Sequence, residues 1–455
     1  MMLATTLPAT SATVADPLRA PAPRTVEETG LPQLFLVDLL CKILAQHGQM
    51  HLSELAGATR LPVSVLDAVL APMRAEKLCD VTRRGASGTD ADLCFNLTDL
   101  GRLRAQEAAL RDAYAGPAPV AYADYVAQIR RHSVTHQPLS RAHMQRVYEG
   151  VVVRPALLDQ LGAAFNSGRA IFLHGPAGSG KSYLAERLHG LLEGEVPIPH
   201  AILIDGAVVP IYDPVVHPAV PEDAPAGSQF DRRYTRDQRW VRCQRPAVLT
   251  GGELTIEMLD LRFDHGARLY QAPPHLKANG GILVIDDLGR QRCSAVELMN
   301  RWIVPLDRHV DFLALQNGYK FAVPFDMIVV FSSNLQPEEL ADGAFLRRLG
   351  YKIHVGPLPE PLYRTVFRQV CERLGLDWDE AMYDYLLRAR HGREGRPLMA
   401  CYPNDLLGQL CDLAHYEGRA ARLDQAGLDW AWQNYFGASA SADAAGDSTN
   451  LGDQK

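Results

Sequence analysis

Long apolar runs are missing from this sequence. No stretch approaches the roughly 18 consecutive apolar residues that a membrane-spanning helix needs. The first 30 residues also lack a basic start followed by a hydrophobic block. Neither a membrane span nor a secretory leader is therefore indicated, and we expect a cytoplasmic protein.

Closely spaced cysteine pairs are missing as well. The eight cysteines are scattered, without a C-x-x-C pair, and this pattern favours reduced, mostly buried thiols over zinc ligands or disulfides. A strong excess of one charge is also absent, because the formal net charge is only −7. This argues against wholesale wrapping of nucleic acid and leaves open a local basic patch.

The texture of the sequence divides the chain into several parts. A length of 455 residues indicates two or three folded domains. Both ends are rich in small and polar residues without apolar periodicity, which is typical of disorder. The predicted organisation is a disordered start (1–28), a winged-helix-like α+β domain (29–114), a linker with a helix (115–150), an α/β core (151–356) with an insert at about 194–276, a helical lid (357–437) and a disordered tail (438–455).

The winged-helix interpretation rests on the order of patterns between Leu31 and about Asp112. A helix at 34–44 and a short helix at 52–58 precede a longer helix. Its apolar face carries Val65, Leu66, Val69, Leu70 and Met73. The turn-rich stretch 85–92 lies between two β-type segments, which predicts a hairpin before a further helix from Asp99.

From about residue 151, short apolar runs alternate with helical patterns. The runs at 170–174, 201–205, 208–212, 282–286 and 326–333 are strand candidates, and this alternation predicts a doubly wound parallel sheet. After Pro357 the pattern is helical throughout. Helices are predicted at 360–374, 379–390, 404–416 and 424–436.

The clearest motif is a glycine-rich phosphate loop between a predicted strand and a helix. It reads Gly175, Pro176, Ala177, Gly178, Ser179, Gly180, Lys181 and Ser182, and Tyr183 continues into the helix. Backbone N–H groups at such a helix start favour anions. Lys181 is expected to reach the β and γ phosphates and the Ser182 hydroxyl to ligate Mg²⁺, so ATP and Mg²⁺ are the predicted cofactors.

A second motif follows the apolar strand 282–285, which ends in the two carboxylates Asp286 and Asp287. Successive strand residues point to opposite sides, so the two carboxylates can take different tasks. We assign Asp286 to the metal. Asp287 is then placed to polarise the attacking water, as general base or as orienting acceptor.

Together these motifs resemble the AAA+ family of P-loop ATPases over about residues 151–437. The resemblance implies an ATP-hydrolysing enzyme with a sensor 1 residue, Asn334, which reads the γ-phosphate. It also implies arginine fingers, Arg347 and Arg348, which reach the ATP of a neighbouring subunit in a ring, most simply a hexamer. A helix or turn cap is the plainer interpretation of Asn334, and a solvated basic pair that of the arginines.

The chain departs from that family at two positions. Asp287 stands where the second Walker B acid is usually Glu, and this shorter side chain leaves the water less well placed. Asn404 stands where a sensor 2 arginine is expected at the start of a lid helix. An amide supplies no charge to the γ-phosphate, which puts the coupling of the lid to nucleotide in doubt.

Two features bear on the branch of the family. An Asn-Gly turn at 317–318 predicts a hairpin just before sensor 1, and with the insert it resembles the MoxR and dynein-like branch. Within the insert, residues 230–242 interleave arginines with aromatics. That stretch could grip a polyanion, form salt bridges between subunits, or be a solvated surface.

The biological role stays open between different classes. The leading interpretation is an oligomeric, MoxR-like protein remodeller or chaperone with a protein client. The alternative is a DNA-associated ATPase or transcription regulator that binds DNA through the winged helix. Residues 29–112 carry nine basic and ten acidic side chains, a formal net charge of −1, whereas a DNA reader usually shows a basic stripe. A non-hydrolysing nucleotide-binding scaffold is a third class, indicated by the Asp287 and Asn404 departures.

Overall fold

The computed structural model describes residues 20–84, 93–136, 138–221, 236–340 and 343–437. The predicted disordered ends, apart from the stretch that begins at Ala20, and residues 230–235 of the arginine-aromatic stretch lie outside these residues. An N-terminal α+β module comes first. Its elements are α1 (Gln33–His47), β1 (Met50–His51), α2 (Leu52–Thr59), α3 (Val63–Ala75), β2 (Cys79–Arg84), β3 (Leu93–Leu97) and α4 (Asp99–Arg111).

The N-terminal module is organised around the apolar faces of its helices. The α3 residues Val65, Leu66 and Val69 are fully buried, and they pack in one cluster with α1, α2 and β3. The three strands form an antiparallel sheet in the order β1-β3-β2. Helix α4 begins where Thr98 Oγ1 accepts a hydrogen bond from the Gly101 backbone N–H, a cap that satisfies an otherwise unpaired donor.

A second group of elements leads into the core and forms most of the predicted insert. It comprises β4 (Val120–Ala121), α5 (Tyr122–Arg131), α6 (Arg141–Val147), α7 (Pro155–Asn166), β5 (Ile171–His174), α8 (Lys181–Arg187), β6 (Glu195–Pro199), β7 (Ala201–Ile204), β8 (Ala207–Pro210), β9 (Trp240–Gln244), β10 (Ala247–Thr250), β11 (Arg262–Asp264), β12 (Leu269–Gln271) and α9 (Pro274–Lys277).

The central sheet is parallel and has five strands. The remaining core elements are β13 (Ile282–Ile285), α10 (Ala295–Arg308), β14 (Val310–Ala314), β15 (Lys320–Pro324), β16 (Ile328–Ser333), α11 (Pro337–Leu340), α12 (Gly343–Leu346) and β17 (Tyr351–His354). The strand order is β10-β13-β16-β5-β17, all pairs parallel. Since β13 and β16 are buried along their whole length, they read as continuous apolar runs in the sequence.

The insert differs from the sequence prediction in two respects. Edge strand β10 of the parallel sheet comes from inside the predicted insert 194–276, so that segment is not one continuous insertion. The runs at 201–205 and 208–212 contain β7 and β8, which pair as an antiparallel hairpin beside β4 instead of joining the parallel sheet. Apolar runs carry no signal for which sheet they join, and both strands pack in a separate cluster with α5 and the β14–β15 hairpin.

The C-terminal part is helical, as the sequence predicted. Its elements are α13 (Glu360–Leu374), α14 (Glu380–Tyr385), a π-helical turn (Leu386–Gly392), α15 (Tyr402–Tyr416) and α16 (Gln425–Phe436). Their apolar faces meet in one aromatic-rich cluster. We refer to residues 357–437 as the lid.

A buried ion pair joins the N-terminal module to the insert. Arg239 and Asp237 expose only 3% and 5% of their side chains, and Arg239 Nη2 lies 2.7 Å from Asp237 Oδ2. Arg239 Nη1 also donates to the backbone carbonyls of Thr29 and Pro119. A buried charge is tolerated only when it is paired and hydrogen-bonded, so these contacts tie three chain segments together.

Two further expectations concern the whole chain. Among the described residues no single helix has the length and apolar character of a membrane span, whereas the bent pair α2 and α3 passes on length and composition. All eight cysteines carry free thiols. In the parts of the chain that the structure describes, no cluster of three or more His, Cys, Asp or Glu side chains is arranged to hold a metal.

Candidate functional site

The phosphate loop leaves the carboxyl end of β5 and enters α8, as the motif requires. At two positions of this loop the surroundings require glycine. Gly175 has φ 143°, and a Cβ there would lie 2.2 Å from the Val355 carbonyl oxygen. Gly178 has φ 79°, and a Cβ there would lie 2.5 Å from Cys401 Sγ. The loop therefore needs glycine both for its turn and for the close approach of neighbouring segments.

Lys181 lies at the centre of the loop and is buried. Its Nζ donates to the carbonyls of Gly175 (2.9 Å) and Pro176 (3.0 Å) and to Asn334 Oδ1 (2.7 Å). Burial lowers the pKa of the Lys181 ammonium from its ordinary value, and the nearby carboxylates Asp287 and Asp286 oppose that effect. The loop thus holds a cation directed toward the tip of the neighbouring strand β16.

Ser182 and Asp286 form a second contact between the two motifs. Ser182 Oγ donates to Asp286 Oδ1 at 2.9 Å. A hydroxyl beside a single carboxylate is a set of hard oxygen donors that suits Mg²⁺, which takes few protein ligands and completes its shell with phosphate and water. The residues present therefore fit the predicted metal.

Asp287 begins the turn after β13 and is about half exposed. It has φ 49°, a left-handed conformation that is uncommon for a residue with a side chain. Its Oδ1 accepts a hydrogen bond from Asn334 Nδ2 at 3.3 Å. The Leu288 N–H donates to the Ser332 carbonyl at 2.7 Å, which fixes this turn against the end of β16.

Asn334 therefore connects both motifs. Its amide oxygen accepts from Lys181 and its amide nitrogen donates to Asp287. The turn-cap interpretation of this residue describes its backbone position, just before Pro337 and α11, but its side chain points into the site.

The phosphate loop and the lid enclose a cavity of about 840 Å³. On the loop side it is lined by residues 177–184. On the lid side the Cys401 backbone N–H donates to the Gly178 carbonyl at 3.1 Å, and Gln369 Nε2 donates to the Gly150 carbonyl at 3.2 Å. Apolar side chains also line the cavity: Val151, Val153, Leu157, Val366 and Val370. The cavity thus combines polar, cationic groups with apolar side chains.

Of the other predicted loop residues, Ala177, Ser179 and Tyr183 line the same cavity, whereas Pro176 does not. Ser179 is buried, and Pro176 and Ala177 are exposed. Tyr183 is 49% exposed and lines the cavity, and its hydroxyl accepts a hydrogen bond from Arg187 Nη2 at 2.8 Å.

Five polar side chains that line the cavity were not assigned to it from the sequence: Arg154, Arg290, Gln369, Arg373 and Cys401. Arg290 lies with its Nη1 4.0 Å from Asp287 Oδ2. Arg373 lies on α13 and donates from Nη2 to Asn404 Oδ1 at 2.5 Å. The sulfur of Cys401 also faces the loop. Arg290 follows the carboxylate motif closely and could have been found from that spacing, whereas Arg373 and Cys401 belong to no local motif.

The predicted arginine fingers lie apart from this cavity in the same chain. Arg348 Nε donates to Asp307 Oδ2 at 2.7 Å, and Arg347 is exposed. The Arg347 backbone carbonyl accepts a hydrogen bond from Arg169. Neither arginine lines the cavity, so a role in this site would have to come from another copy of the chain.

A comparison with family models matches one part of the sequence. Residues 359–434 match a family model described as a domain of unknown function, DUF8689. No curated protein matches. The match spans most of the lid.

Several solved structures share part of the architecture at low identity. NtrX from Brucella abortus in complex with ADP is 15% identical, with a TM-score of 0.36, and the match covers 62% of this chain and 54% of that chain. RuvB from Thermotoga maritima, a Holliday junction branch migration motor, is 11% identical, with a TM-score of 0.34. The match covers 65% of this chain and 70% of that chain.

A complex between subunits BchI and BchD of magnesium chelatase is 17% identical, with a TM-score of 0.30 and coverage of 61% and 89%. The match to NtrX spans about half the length of that protein. What the chain itself shows is an α/β core of the P-loop type, with a five-stranded parallel sheet, followed by a helical C-terminal part.

Proposed function

We propose that this chain is an ATP-hydrolysing AAA+ ATPase. The observation that carries the proposal is the side chain of Asn334, which hydrogen-bonds both Lys181 of the phosphate loop and Asp287 after β13. The Lys181 cation, the Asp287 carboxylate and the Asn334 amide are thereby brought together in one cavity. This is the set of groups that positioning and charge stabilisation in phosphoryl transfer require.

Each residue then has a distinct task. Lys181 and the loop N–H groups bind the phosphates, and Ser182 and Asp286 would hold Mg²⁺. The metal supplies charge neutralisation on the phosphate oxygens when it is bound. Asp287 accepts a hydrogen bond from the attacking water, and Asn334 orients that water relative to the phosphate. The apolar side chains that line the cavity, among them Val366 and Val370, suit contact with the adenine ring.

For the biological role we propose an oligomeric protein remodeller of MoxR type that works as a ring. The hairpin β14–β15 immediately precedes β16, the strand that delivers Asn334. Phe312 and Tyr319 on this hairpin are 57% and 48% exposed, whereas Phe321 and Val323 anchor it in the apolar cluster of the insert. Phe312 lies on the face of the hairpin opposite to Phe321 and Val323, and an exposed aromatic side chain next to the sensor strand supports contact with a protein client.

We further propose that the N-terminal module is winged-helix-like and docks on protein. The surface of α3 exposes Ser64, Asp67 and Arg74, which is not the basic stripe of a DNA-reading helix. Adding mixed-sequence duplex DNA should therefore leave ATP turnover unchanged near physiological salt. DNA-stimulated turnover would favour the DNA-associated ATPase instead.

The proposed nucleotide site is tested with Lys181→Ala. The variant should lose ATP binding, because the loop N–H groups cannot replace a cation on the phosphates. The measurement is a fluorescence titration with labelled ATP. Lys320→Ala is the matched control, since it removes an exposed lysine on the hairpin, outside the cavity. An affinity of Lys181→Ala within about threefold of wild type would contradict the assignment.

A further inference from the structure

The lid contributes an unexpected cation to the nucleotide cavity. Asn404 stands where the resemblance leads one to expect an arginine, so the lid lacks its usual charge at that point. In the structure Arg373, in the last turn of α13, reaches this position from a different helix. Its guanidinium donates to Asn404 Oδ1, and both side chains line the cavity.

The partner of the Arg373 guanidinium differs from that of several other lid arginines. Arg364, Arg390, Arg396 and Arg419 each form an ion pair with a carboxylate within the lid. By contrast, within the described residues the Arg373 guanidinium donates to the neutral amide oxygen of Asn404. A carboxylate partner would offset the guanidinium charge, whereas an amide oxygen orients the group and leaves its charge available to an anion.

A series of contacts connects the phosphate loop to Arg373. The start of α15 is fixed to the loop by the hydrogen bond from the Cys401 N–H to the Gly178 carbonyl. Asn404 follows in the first turn of the same helix and holds Arg373. The contacts therefore run without interruption from the phosphate loop through α15 to the guanidinium of α13.

We propose that Arg373, oriented by Asn404, binds the phosphates of the nucleotide and is the cation that couples the lid to nucleotide binding. This inference rests on the ATP binding proposed above. A planar guanidinium can make two parallel hydrogen bonds to a phosphate group. Arg373 would supply from α13 the charge that Asn404 cannot supply from α15.

The test measures ATP affinity of the full-length chain by titration with labelled ATP. Arg373→Ala should weaken binding by about tenfold or more, the loss expected from removing a charge-assisted hydrogen bond. The double variant Arg373→Ala/Asn404→Arg, which returns an arginine to the cavity from α15, should recover most of that loss. Arg388→Ala is the matched control. It removes a lid arginine that is 81% exposed, pairs with Asp384 and does not line the cavity.

The outcomes separate this inference from the proposed function. Wild-type chain that fails to bind ATP would overturn both. If wild type binds ATP and Lys181→Ala does not, an Arg373→Ala affinity within about twofold of wild type would overturn the role of Arg373 alone. A loss that also occurs in Arg388→Ala would reduce it to a general effect of lid charge and equally overturn it. Circular dichroism confirms that the variants are folded.

Discussion

Asp287 is the residue on which the proposed hydrolysis depends most. Its carboxylate is about half exposed, lies next to Asn334 and is set in a left-handed backbone conformation. A non-glycine residue in that conformation is held there by its surroundings, here by the contact between Leu288 and Ser332. The backbone thus directs the Asp287 carboxylate at the cavity. This direction offsets part of the reach that the side chain loses because it is one methylene shorter than glutamate.

Asp287→Asn should preserve ATP binding and lower turnover. The amide keeps the shape of the side chain and cannot accept a proton, so we expect a reduction of roughly 10²- to 10⁴-fold, the usual contribution of a positioned acid or base. Steady-state phosphate release and ATP titration on the same protein measure both quantities. Asp159→Asn is a suitable control, since Asp159 is half exposed, pairs with Arg141 and does not line the cavity. Turnover of Asp287→Asn equal to wild type would move the base elsewhere.

The sequence predicts individual site residues when they belong to a contiguous motif. Lys181 and Ser182, and likewise Asp286 and Asp287, were identified in this way, because a strand that ends in a loop brings neighbours in sequence to one edge of a sheet. Arg373 and Cys401 could not be predicted from a motif. They reach the cavity only through the packing of α13 and α15 on the phosphate loop, and such long-range contacts leave no local pattern.

At the scale of elements, the parallel sheet and lid helices were more predictable than the insert. Buried parallel strands such as β13 and β16 give uninterrupted apolar runs, and the lid helices repeat apolar residues at helical spacing. The insert strands β7 and β8 give similar runs but pair elsewhere. Their sheet is decided by tertiary packing with α5 and the hairpin, which a single sequence does not encode locally.

A buried histidine makes the stability of the lid depend on pH. His391 is 3% exposed. Its Nε2 lies 3.1 Å from the Tyr363 hydroxyl and its Nδ1 3.3 Å from the Arg396 carbonyl oxygen. Burial lowers the pKa of His391 from 6.5 to about 4, while the Arg396 carbonyl and the Glu394 carboxylate act in the opposite direction and the Arg396 charge adds to the lowering. The folded lid therefore holds this imidazole neutral.

The lid should lose stability as pH falls from about 6.5 toward 4. In this window the unfolded chain binds a proton at His391 and the folded lid does not. As the pH falls, this group therefore lowers the free energy of unfolding by up to about 3 kcal/mol. Urea unfolding is followed by tryptophan fluorescence, to which the lid contributes three of the five tryptophans, Trp378, Trp430 and Trp432. His391→Gln should be less stable at neutral pH but less sensitive to acid. A constant difference between wild type and variant across this range would contradict the prediction.

At the scale of the whole molecule, the N-terminal module is fixed to the insert. The Arg239–Asp237 pair is buried and holds carbonyls from the N-terminal segment and from the linker. The Ala118 N–H also donates to the Thr59 carbonyl at 2.7 Å. The linker predicted at 115–150 therefore does not behave as a free tether. A module fixed in this way can transmit movements of the insert and hairpin to a docked protein.

The proposed assembly concerns Arg347 and Arg348, which do not line the cavity of their own chain. Arg347 is exposed, whereas Arg348 pairs with Asp307. If Arg347 completes the site of a neighbouring subunit, Arg347→Ala should bind ATP normally and hydrolyse it slowly, because charge developing in the transition state lacks its partner. Arg348→Ala should behave similarly only if the Asp307 pair opens in the assembly, and Asp307→Ala tests that opening without removing an arginine.

Mixing two inactive proteins distinguishes a trans role from a structural one. In oligomers that combine Arg347→Ala with Lys181→Ala subunits, some interfaces pair an intact phosphate loop with an intact arginine, so part of the turnover should return. Neither protein has such an interface on its own. The measurement is steady-state phosphate release at varied mixing ratios, with subunit exchange followed by energy transfer between labelled chains. Confirmed exchange without any recovery of turnover would show that Arg347 does not act on the neighbouring site. A recovery that rises and falls with mixing ratio would place the arginine at the interface between subunits.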